Sequence, residues 1–302
     1  MTASEKPSTM GTVKALARSL RPHQWPKNVF LFAALVFAHR LRDPFAVLEA
    51  AKGFAAFCML ASAVYLINDI MDREQDRLHP TKKNRPIASG LVPLWVAAVM
   101  GLLLLLGGFA ISLSIGTTFV LVAATYSALS YAYCFGVKRF VILDVMVLAS
   151  GYPLRAVAGA AAIDVEISHW LLLCTSLLAL FLGFCKRRQE LVSLRGDAES
   201  HRAVLSNYSV AFIDQMIAVV TASTVVCYAF YAFSDEVALK LGTQRLGLTV
   251  PFVLYGIFRY FYLVHMVGGG GSPSREVVRD KPFLVNGLLW GTMVILILYV
   301  WP

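Results

Sequence analysis

The chain has 302 residues, of which 58% are hydrophobic and only 15% are charged, and its mean hydropathy is +0.67. This composition excludes an ordinary soluble domain and is typical of a polytopic membrane protein. The formal net charge of +9 has the sign that nucleic-acid binding requires. The cations lie in short loops beside apolar stretches, however, so we expect membrane lipids as partners and no nucleic acid.

Nine apolar stretches have the approximate length that crosses a bilayer as a helix, roughly 17–25 residues. In chain order they are residues 28–40, 46–68, 93–113, 117–135, 141–162, 167–185, 211–233, 247–266 and 284–301. The first stretch is short, and the eighth contains Pro251 and Arg259. The sequence therefore predicts an all-α polytopic membrane protein with about nine transmembrane helices in a single domain, residues 1–302.

Lysine and arginine accumulate in alternate loops. Of the 27 such residues, 20 lie in residues 1–27, 71–92, 136–140, 186–210 and 267–283, whereas the loops on the other side hold four. Because basic loops stay cytoplasmic, we expect a plasma-membrane protein with a cytoplasmic N-terminal segment and an external C-terminus. The long loops 71–92 and 186–210 follow similar layouts in the two halves, which suggests a duplicated unit and places both as cytoplasmic active-site loops over one central cavity.

The most specific motif lies at the end of the second stretch and contains Asn68, Asp69, Asp72 and Asp76. If the helix continues past Ile67, a turn of 100° per residue places the three aspartates within about 60° of arc. Such carboxylates repel one another unless a cation neutralises them, and hard oxygen ligands suit Mg²⁺, which also binds substrate phosphates. We therefore predict that the aspartates are catalytic and metal-binding in a diphosphate site, with Asn68 beside them. The alternative is a solvated helix end.

Basic residues follow this motif closely. We expect Arg73, Lys82 and Arg85 to donate hydrogen bonds to phosphate oxygens. The stretch up to Gly90 is predicted to fold over the acidic residues as a cap, with Pro86 and Gly90 in its turns.

A second basic run ends the sixth stretch and consists of Lys186, Arg187, Arg188 and, after one residue, Glu190. Lys186 and Glu190 are four residues apart and would share one helix face. The run could be a topology signal alone. Because these cations exceed what one Mg²⁺-diphosphate needs, we interpret them as binding a second anionic substrate. In the loop that follows, the roles of three residues stay open: Asp197, His201 and Tyr208.

Further candidate substrate-binding residues lie at or inside other stretches: Lys27, Asn28, Tyr126, Lys138, Arg139 and Arg155. An arginine within an apolar span normally faces a cavity or an opposite charge. Asp144 is the partner that the sequence offers to Arg155, so a purely structural ion pair is the alternative. The small residues around Arg155 are predicted to serve close helix packing.

The motif NDxxDxxxD at residues 68–76, the segment RPIASG at 85–90, and Tyr126-Ser127 with the later Lys138-Arg139 resemble the UbiA superfamily of intramembrane prenyltransferases. The resemblance implies helices around a central cavity that opens sideways to lipid, with cytoplasmic cap loops. It also implies that Asn68, Asp69, Asp72 and Asp76 bind a diphosphate through Mg²⁺.

The second motif departs from the family pattern, because members that prenylate aromatic acceptors typically show a second DxxxD where Lys186 to Glu190 stand here. With this departure and the extended stretch 76–90, the sequence resembles one branch of the superfamily. Members of that branch transfer the 5-phosphoribosyl group from phosphoribosyl diphosphate to a polyprenyl phosphate lipid, in cell-wall arabinan synthesis. Lys186, Arg187 and Arg188 would then hold either the acceptor phosphate or the ribose 5-phosphate. Prenyl chain length, the number of Mg²⁺ ions and the oligomeric state stay open, with a homo-oligomer as one alternative.

Two other functions are compatible with the sequence. A prenyltransferase that moves a prenyl group from prenyl diphosphate to an aromatic acceptor would be favoured by two carboxylate clusters. A divalent-cation or phosphate transporter would also use intramembrane charge and internal duplication. Its acidic residues would be expected near the bilayer midplane, whereas here they lie at the end of a span.

Overall fold

A computed structural model describes residues 9–193, 203–267 and 279–301, and every regular element in these ranges is helical. The α-helices are α1 (Thr9–Ser19), α2 (Phe32–Phe37), α3 (Pro44–Met71), α4 (Arg73–Leu78), α5 (Leu94–Ile115), α6 (Thr117–Phe135), α7 (Leu143–Ala162), α8 (His169–Ser193), α9 (Val210–Phe233), α10 (Asp235–Leu241), α11 (Val250–Met266) and α12 (Lys281–Tyr299). Short 3₁₀ helices cover Pro22–Leu31, Lys82–Asn84, Val137–Arg139, Ala203–Asn207 and Arg245–Thr249. Within the described ranges, eight helices are long and apolar enough to cross a membrane.

These eight helices correspond to the second to ninth predicted stretches. The first stretch, residues 28–40, differs from the prediction because it is not one regular helix. The chain forms a 3₁₀ helix over Pro22–Leu31 and continues as the short helix α2. Pro22 and Pro26 lack backbone N–H donors, which disfavours a regular α-helical ladder here.

The segment from Pro22 to Phe37 nevertheless runs the length of a membrane span. A 3₁₀ helix rises about 2.0 Å per residue, so the segment extends over roughly 30 Å, close to the thickness of the hydrocarbon core. Trp25 donates a hydrogen bond to Ser62 at 3.1 Å, and Asn28, further along, contacts Cys58 at 3.1 Å. These partners show that the segment runs antiparallel to α3, and we call it the first crossing.

Close packing against α7 holds the first crossing in place. A Cβ atom added at Gly159 would lie only 1.9 Å from the carbonyl oxygen of Leu31, so the α7 backbone contacts the backbone of the crossing directly. Leu31 itself is fully buried. The predicted packing role of small residues in this stretch is therefore confirmed at Gly159. The contact also fixes the position, along the axis of the bundle, of the residues that precede Leu31.

Two hydrophobic cores support the two halves of the bundle. The first includes Leu31, Phe57 and Phe119, and the second includes Phe181 and Ile213. Helix α7 contributes residues to both cores. The ends of α3 and α8, which carry the two charged motifs, are therefore held on either side of α7.

The two ends of the described chain lie at opposite ends of the bundle. Ala15 of α1 packs with Leu66 and Ile87 near the acidic motif. At the other end, the hydroxyl of Tyr299 donates to the carbonyl of Val36 at 2.9 Å. This placement is what an odd number of crossings requires.

Candidate active site

The acidic motif straddles a break between two helices. Helix α3 ends at Met71, Asp72 is its C-terminal cap, and α4 begins at the next residue. The expected single helix face is therefore interrupted. Asp69 and Asp76 are 2% and 3% exposed, whereas Asp72 is only half-buried.

Arg85 joins the two buried carboxylates. Its Nη1 donates to Asp69 Oδ1 at 3.0 Å and to Asp76 Oδ2 at 2.6 Å. One cationic nitrogen thus lies between two carboxylate oxygens from different helices. Charge-assisted hydrogen bonds of this kind are strong where water is excluded. We call Asp69, Asp72 and Asp76 the acidic cluster.

The stretch that carries Arg85 folds back over the acidic cluster as predicted. Ile87 is fully buried, and Arg77 Nε donates to the carbonyl of Ala88 at 3.0 Å. Gly90 has φ +82°, a left-handed conformation that glycine adopts without steric penalty. The cap is therefore an ordered structure that brings Arg85 to the acidic cluster.

Two further cations complete the surroundings of the acidic cluster. Lys138 Nζ donates to Asp72 Oδ1 at 2.5 Å. Arg21 Nη2 donates to Asp69 Oδ1 at 2.5 Å, and no sequence motif indicates this contact. The only signal for Arg21 in the sequence is its place directly before Pro22, where the first crossing begins.

The remaining candidate site residues near the acidic cluster differ in their burial and in their contacts. Asn68 is half-buried, one residue before Asp69. Arg73 is half-buried beside Glu74, with 3.5 Å between Nη1 and the carboxylate. Lys82 is half-buried in its 3₁₀ helix, and Arg139 is exposed.

The donor set of the acidic cluster fits a hard divalent cation. Mg²⁺ in such sites uses one or two carboxylates and completes its octahedron with waters and substrate phosphates. Arg85 Nη1, bonded to both Asp69 and Asp76, marks a position where a bridging cation is electrostatically favourable. Within the described part of the chain, no three His, Cys, Asp or Glu side chains converge on one point, so the protein alone offers two carboxylates here.

Arg155 forms the second polar centre, and it lies next to the first crossing. It is 6% exposed. Its Nε donates to Asn28 Oδ1 at 2.7 Å, its Nη2 to the hydroxyl of Tyr126 at 3.0 Å, and its Nη1 to the carbonyl of Gly151. Three predicted site residues are thus brought together. The alternative pairing of Arg155 with Asp144 does not form.

Asp144 instead pairs with the second basic run. Arg187, 1% exposed, donates from Nε to Asp144 Oδ2 at 2.6 Å, and Asp144 is fully buried. Arg187 also contacts Glu190 and the hydroxyl of Tyr133. Glu190 therefore pairs with Arg187, three residues away.

Tyr208 completes this buried network. Its hydroxyl donates to Asp144 Oδ1 at 2.8 Å and accepts from the backbone N–H of Ile142 at 2.6 Å. Burial, supported by the hydrogen bond to Asp144, raises the pKa of Tyr208 to about 12. The hydroxyl therefore keeps its proton at neutral pH. Its contacts favour a structural role for Tyr208.

Arg188 ties three helices together. Its Nε donates to Asp214 Oδ1 at 2.6 Å, and its Nη1 lies 3.4 Å from the carbonyl of Val264. His265 also contacts Asp214, at 3.3 Å. These partners join α8, α9 and α11. Asp197 and His201 lie outside the described residues.

The comparisons with known proteins agree with this architecture. The profile of the UbiA prenyltransferase family matches residues 29–270. The chain belongs to the UbiA prenyltransferase family. A solved structure of a UbiA homolog from Archaeoglobus fulgidus, bound to DMAPP and Mg²⁺, superposes with a TM-score of 0.72 over 94% of this chain and 99% of that chain. Their sequences are 18% identical, so the likeness shows a shared fold.

Two sequence relatives are much more similar to this UbiA family member. The decaprenyl-phosphate phosphoribosyltransferase of Mycolicibacterium smegmatis is 34% identical over 92% of this chain and 90% of the relative. The enzyme of that name from Mycobacterium tuberculosis is 32% identical over 92% of each chain.

Proposed function

We propose that this UbiA family member transfers the 5-phosphoribosyl group of phosphoribosyl diphosphate to a polyprenyl phosphate and releases diphosphate. The observation that carries the proposal is the distribution of charge over the site. One half holds the acidic cluster, whereas the other has Lys186 and a buried arginine where a second carboxylate cluster would serve prenyl diphosphate chemistry. The two mycobacterial relatives, matched over at least 90% of their length and named for this activity, support this choice.

In this proposal the acidic cluster binds the diphosphate of the donor. Asp69 and Asp76 would hold Mg²⁺, with Asp72 and Asn68 beside them. The ion would neutralise diphosphate oxygens as negative charge develops on the leaving group. Arg85 and Lys138, which already lie beside the carboxylates, stabilise that charge through their N–H groups.

The acceptor needs little activation. A phosphate monoester is already an anion, so no strong general base has to remove a proton before it attacks. Its oxygen forms a bond to the anomeric carbon of the ribose, the bond from that carbon to the diphosphate breaks, and the electron pair leaves with the diphosphate. Attack opposite the leaving group inverts the configuration at that carbon.

We place this reaction at the cytoplasmic surface of the plasma membrane. The basic loops predict that the end of the bundle with the acidic cluster faces the cytoplasm, where phosphoribosyl diphosphate is available. The lipid tail of the acceptor would lie in a cavity open to the bilayer. The product would serve as a precursor for cell-wall arabinan.

A transfer assay on the purified full-length chain tests the proposal. One tube contains Mg²⁺, ribose-labelled phosphoribosyl diphosphate and polyprenyl phosphate, and a second contains labelled prenyl diphosphate and 4-hydroxybenzoate. We expect label in the lipid extract of the first tube only. Product in the second tube alone would support an aromatic prenyltransferase, and no product in either tube would favour a transporter.

Paired variants connect the activity to the acidic cluster. Asp76→Asn removes a buried carboxylate charge, whereas Glu74→Gln removes an exposed one two residues away. We expect the first to abolish transfer and the second to retain it, with similar melting temperatures. Normal transfer by Asp76→Asn at limiting Mg²⁺ would contradict the assignment of this site.

A further inference from the structure

A polar cavity lies at the end of the bundle opposite the acidic cluster. It has a volume of about 480 Å³ and is bordered by the first turns of α3 and α6 and by the last turns of α5 and α7. One of its lining residues, Glu49, precedes Asp69 by 20 residues on α3. At the rise of an α-helix, this spacing separates the two carboxylates by about 30 Å along the helix axis. We call this space the distal cavity, and it is remote from the reaction proposed above.

Charged side chains decide the sign of the potential in the distal cavity. Two helix N-termini and two helix C-termini border it, so their dipoles oppose one another. The charged lining residues are Arg40, Asp43, Glu49 and Asp164. Arg40 pairs with Asp43 at 2.8 Å, and Lys52 pairs with Glu49 at 2.7 Å. Asp164 has no ion-pair partner among the described residues, so the cavity has one uncompensated negative charge.

The position of Asp164 makes this charge unfavourable without a cation. Helix α7 ends at Ala162, and Asp164 follows two residues later with φ +50°. Glycine or asparagine usually occupies such a left-handed position after a helix, and the negative end of the helix dipole disfavours a carboxylate there. Asp164 is also exposed, so a ligand can reach it. A cation in the distal cavity would compensate both the carboxylate and the helix end.

Glu49 shows that the wall of the distal cavity also lacks a hydrogen-bond donor. This residue is only 8% exposed. Its Oε1 pairs with Lys52, whereas its Oε2 is buried and has no hydrogen-bond partner among the described residues. A buried carboxylate oxygen without a donor is costly, and an ionisable group within a membrane span normally faces a cavity or an opposite charge. Because the terminal torsion of a glutamate is soft, this oxygen can turn towards a donor in the cavity.

These features describe a ligand with one positive charge and several N–H donors. No three His, Cys, Asp or Glu side chains of the described residues converge to hold a metal ion, which disfavours a divalent cation. A primary ammonium group has one charge and three donors. Ser114 offers a further acceptor, because its hydroxyl donates to a backbone carbonyl of its own helix and keeps its lone pairs. The aromatic side chains of Phe45 and Phe119 also line the cavity, and they suit an ammonium that is attached to carbon.

We propose that the distal cavity binds a primary ammonium group through Glu49 and Asp164. An aminophospholipid of the surrounding bilayer and a small soluble amine both carry this group. Phe45 lines the cavity and is 71% exposed on a helix that is long and apolar enough to cross a membrane. A lipid chain can therefore pack beside the bound headgroup, which favours the lipid. The site is independent of the proposed transferase activity.

Binding to the purified full-length chain in detergent tests the inference. Dihexanoyl phosphatidylethanolamine, dihexanoyl phosphatidylcholine and ethanolamine are each titrated by calorimetry. The choline lipid carries the same charges as the ethanolamine lipid but has no N–H donor. We expect the ethanolamine lipid to bind at least about tenfold more tightly, because only its ammonium forms charge-assisted hydrogen bonds. Weaker binding of ethanolamine than of its lipid would identify the lipid as the source of the ammonium group, and equal binding would identify a soluble amine.

Three variants connect the binding to the distal cavity. Glu49→Gln and Asp164→Asn each remove one of the two carboxylate charges, whereas Glu166→Gln removes an exposed carboxylate that does not line this cavity. We expect the first two variants to lose most of the preference for the ethanolamine lipid and the third to keep it. Because Asp164 is exposed, its variant tests the inference even if Glu49→Gln fails to fold. Equal Kd values of the two lipids in wild type, or an unchanged preference in folded Glu49→Gln and Asp164→Asn, would overturn the inference.

Discussion

Replacing Asp144 by Asn removes the buried negative charge that Arg187 faces. The distance between Arg187 Nε and Asp144 Oδ2 is 2.6 Å, and both side chains have almost no exposed surface. Removal of one partner from a buried ion pair costs about 3–5 kcal/mol. Glu190 still contacts Arg187 and keeps part of the compensation. We therefore expect Asp144→Asn to lower the free energy of unfolding by about 3 kcal/mol, the lower end of that range.

A double variant separates charge from packing. Asp144→Leu with Arg187→Met removes both charges and leaves apolar side chains of similar size. Replacing a whole buried ion pair is often far less destabilising than breaking it. We expect the double variant to be more stable than Asp144→Asn, although Tyr208 loses its acceptor in the double variant, whereas the amide oxygen in Asp144→Asn still accepts from it.

Thiol accessibility provides the assay. All five cysteines are free, and Cys58, Cys134 and Cys185 are buried, so a thiol-reactive fluorogenic dye reports unfolding of the detergent-purified protein during heating. Substrate KM values are measured in parallel at a temperature where each variant is folded. A wild-type melting temperature for Asp144→Asn would refute the structural role of this pair. So would a large rise in the KM of either substrate at unchanged stability, because Arg187 would then contact substrate.

Three further outcomes follow from local geometry. Gly159→Ala places a Cβ atom 1.9 Å from the carbonyl of Leu31, so we expect a lower melting temperature and slower transfer, whereas Gly287→Ala, with nothing within 4 Å, should behave as wild type. Removing divalent cations with EDTA should stop transfer, and any residual activity of Asp76→Asn should need at least about tenfold more Mg²⁺ for half-maximal rate; an EDTA-resistant rate would contradict the metal assignment. Because burial raises the pKa of Tyr208 to about 12, above the free value of about 10, its contribution to stability is fully present below about pH 10 and is lost only as the pH rises through 12. The difference in melting temperature between wild type and Tyr208→Phe should therefore be constant from about pH 6 to about pH 9, and a change within that range would refute the raised pKa.

The acidic cluster was predictable because carboxylates beside an apolar span are rare and their spacing carries information. The break at Asp72 was not predictable, since the residues around it are compatible with a continuing helix. Only the cap shows why the chain turns there, because Arg85 draws Asp69 and Asp76 together. The cap itself was indicated by Pro86 and Gly90.

Long-range ion pairs limited the prediction of the second motif. Arg187 and Asp144 are 43 residues apart in sequence, and Arg21 and Asp69 are 48 apart. No local pattern specifies such pairs, because they depend on how helices pack. The irregular first crossing was hard to predict for the same reason. Its prolines are visible in the sequence, but its place in the bundle depends on the long-range contact of Leu31 with Gly159.

The most direct test of phosphoribosyl transfer follows two labels of one donor. Phosphoribosyl diphosphate that carries ¹⁴C in the ribose and ³²P in the β-phosphate is incubated with purified protein, Mg²⁺ and polyprenyl phosphate. If the ribosyl group is transferred, ¹⁴C enters the lipid extract, and ³²P is released into the aqueous phase as free diphosphate. Asp76→Asn abolishes both the transfer of ¹⁴C and the release of diphosphate. Both labels together in the lipid, or ³²P alone, would contradict the proposed reaction.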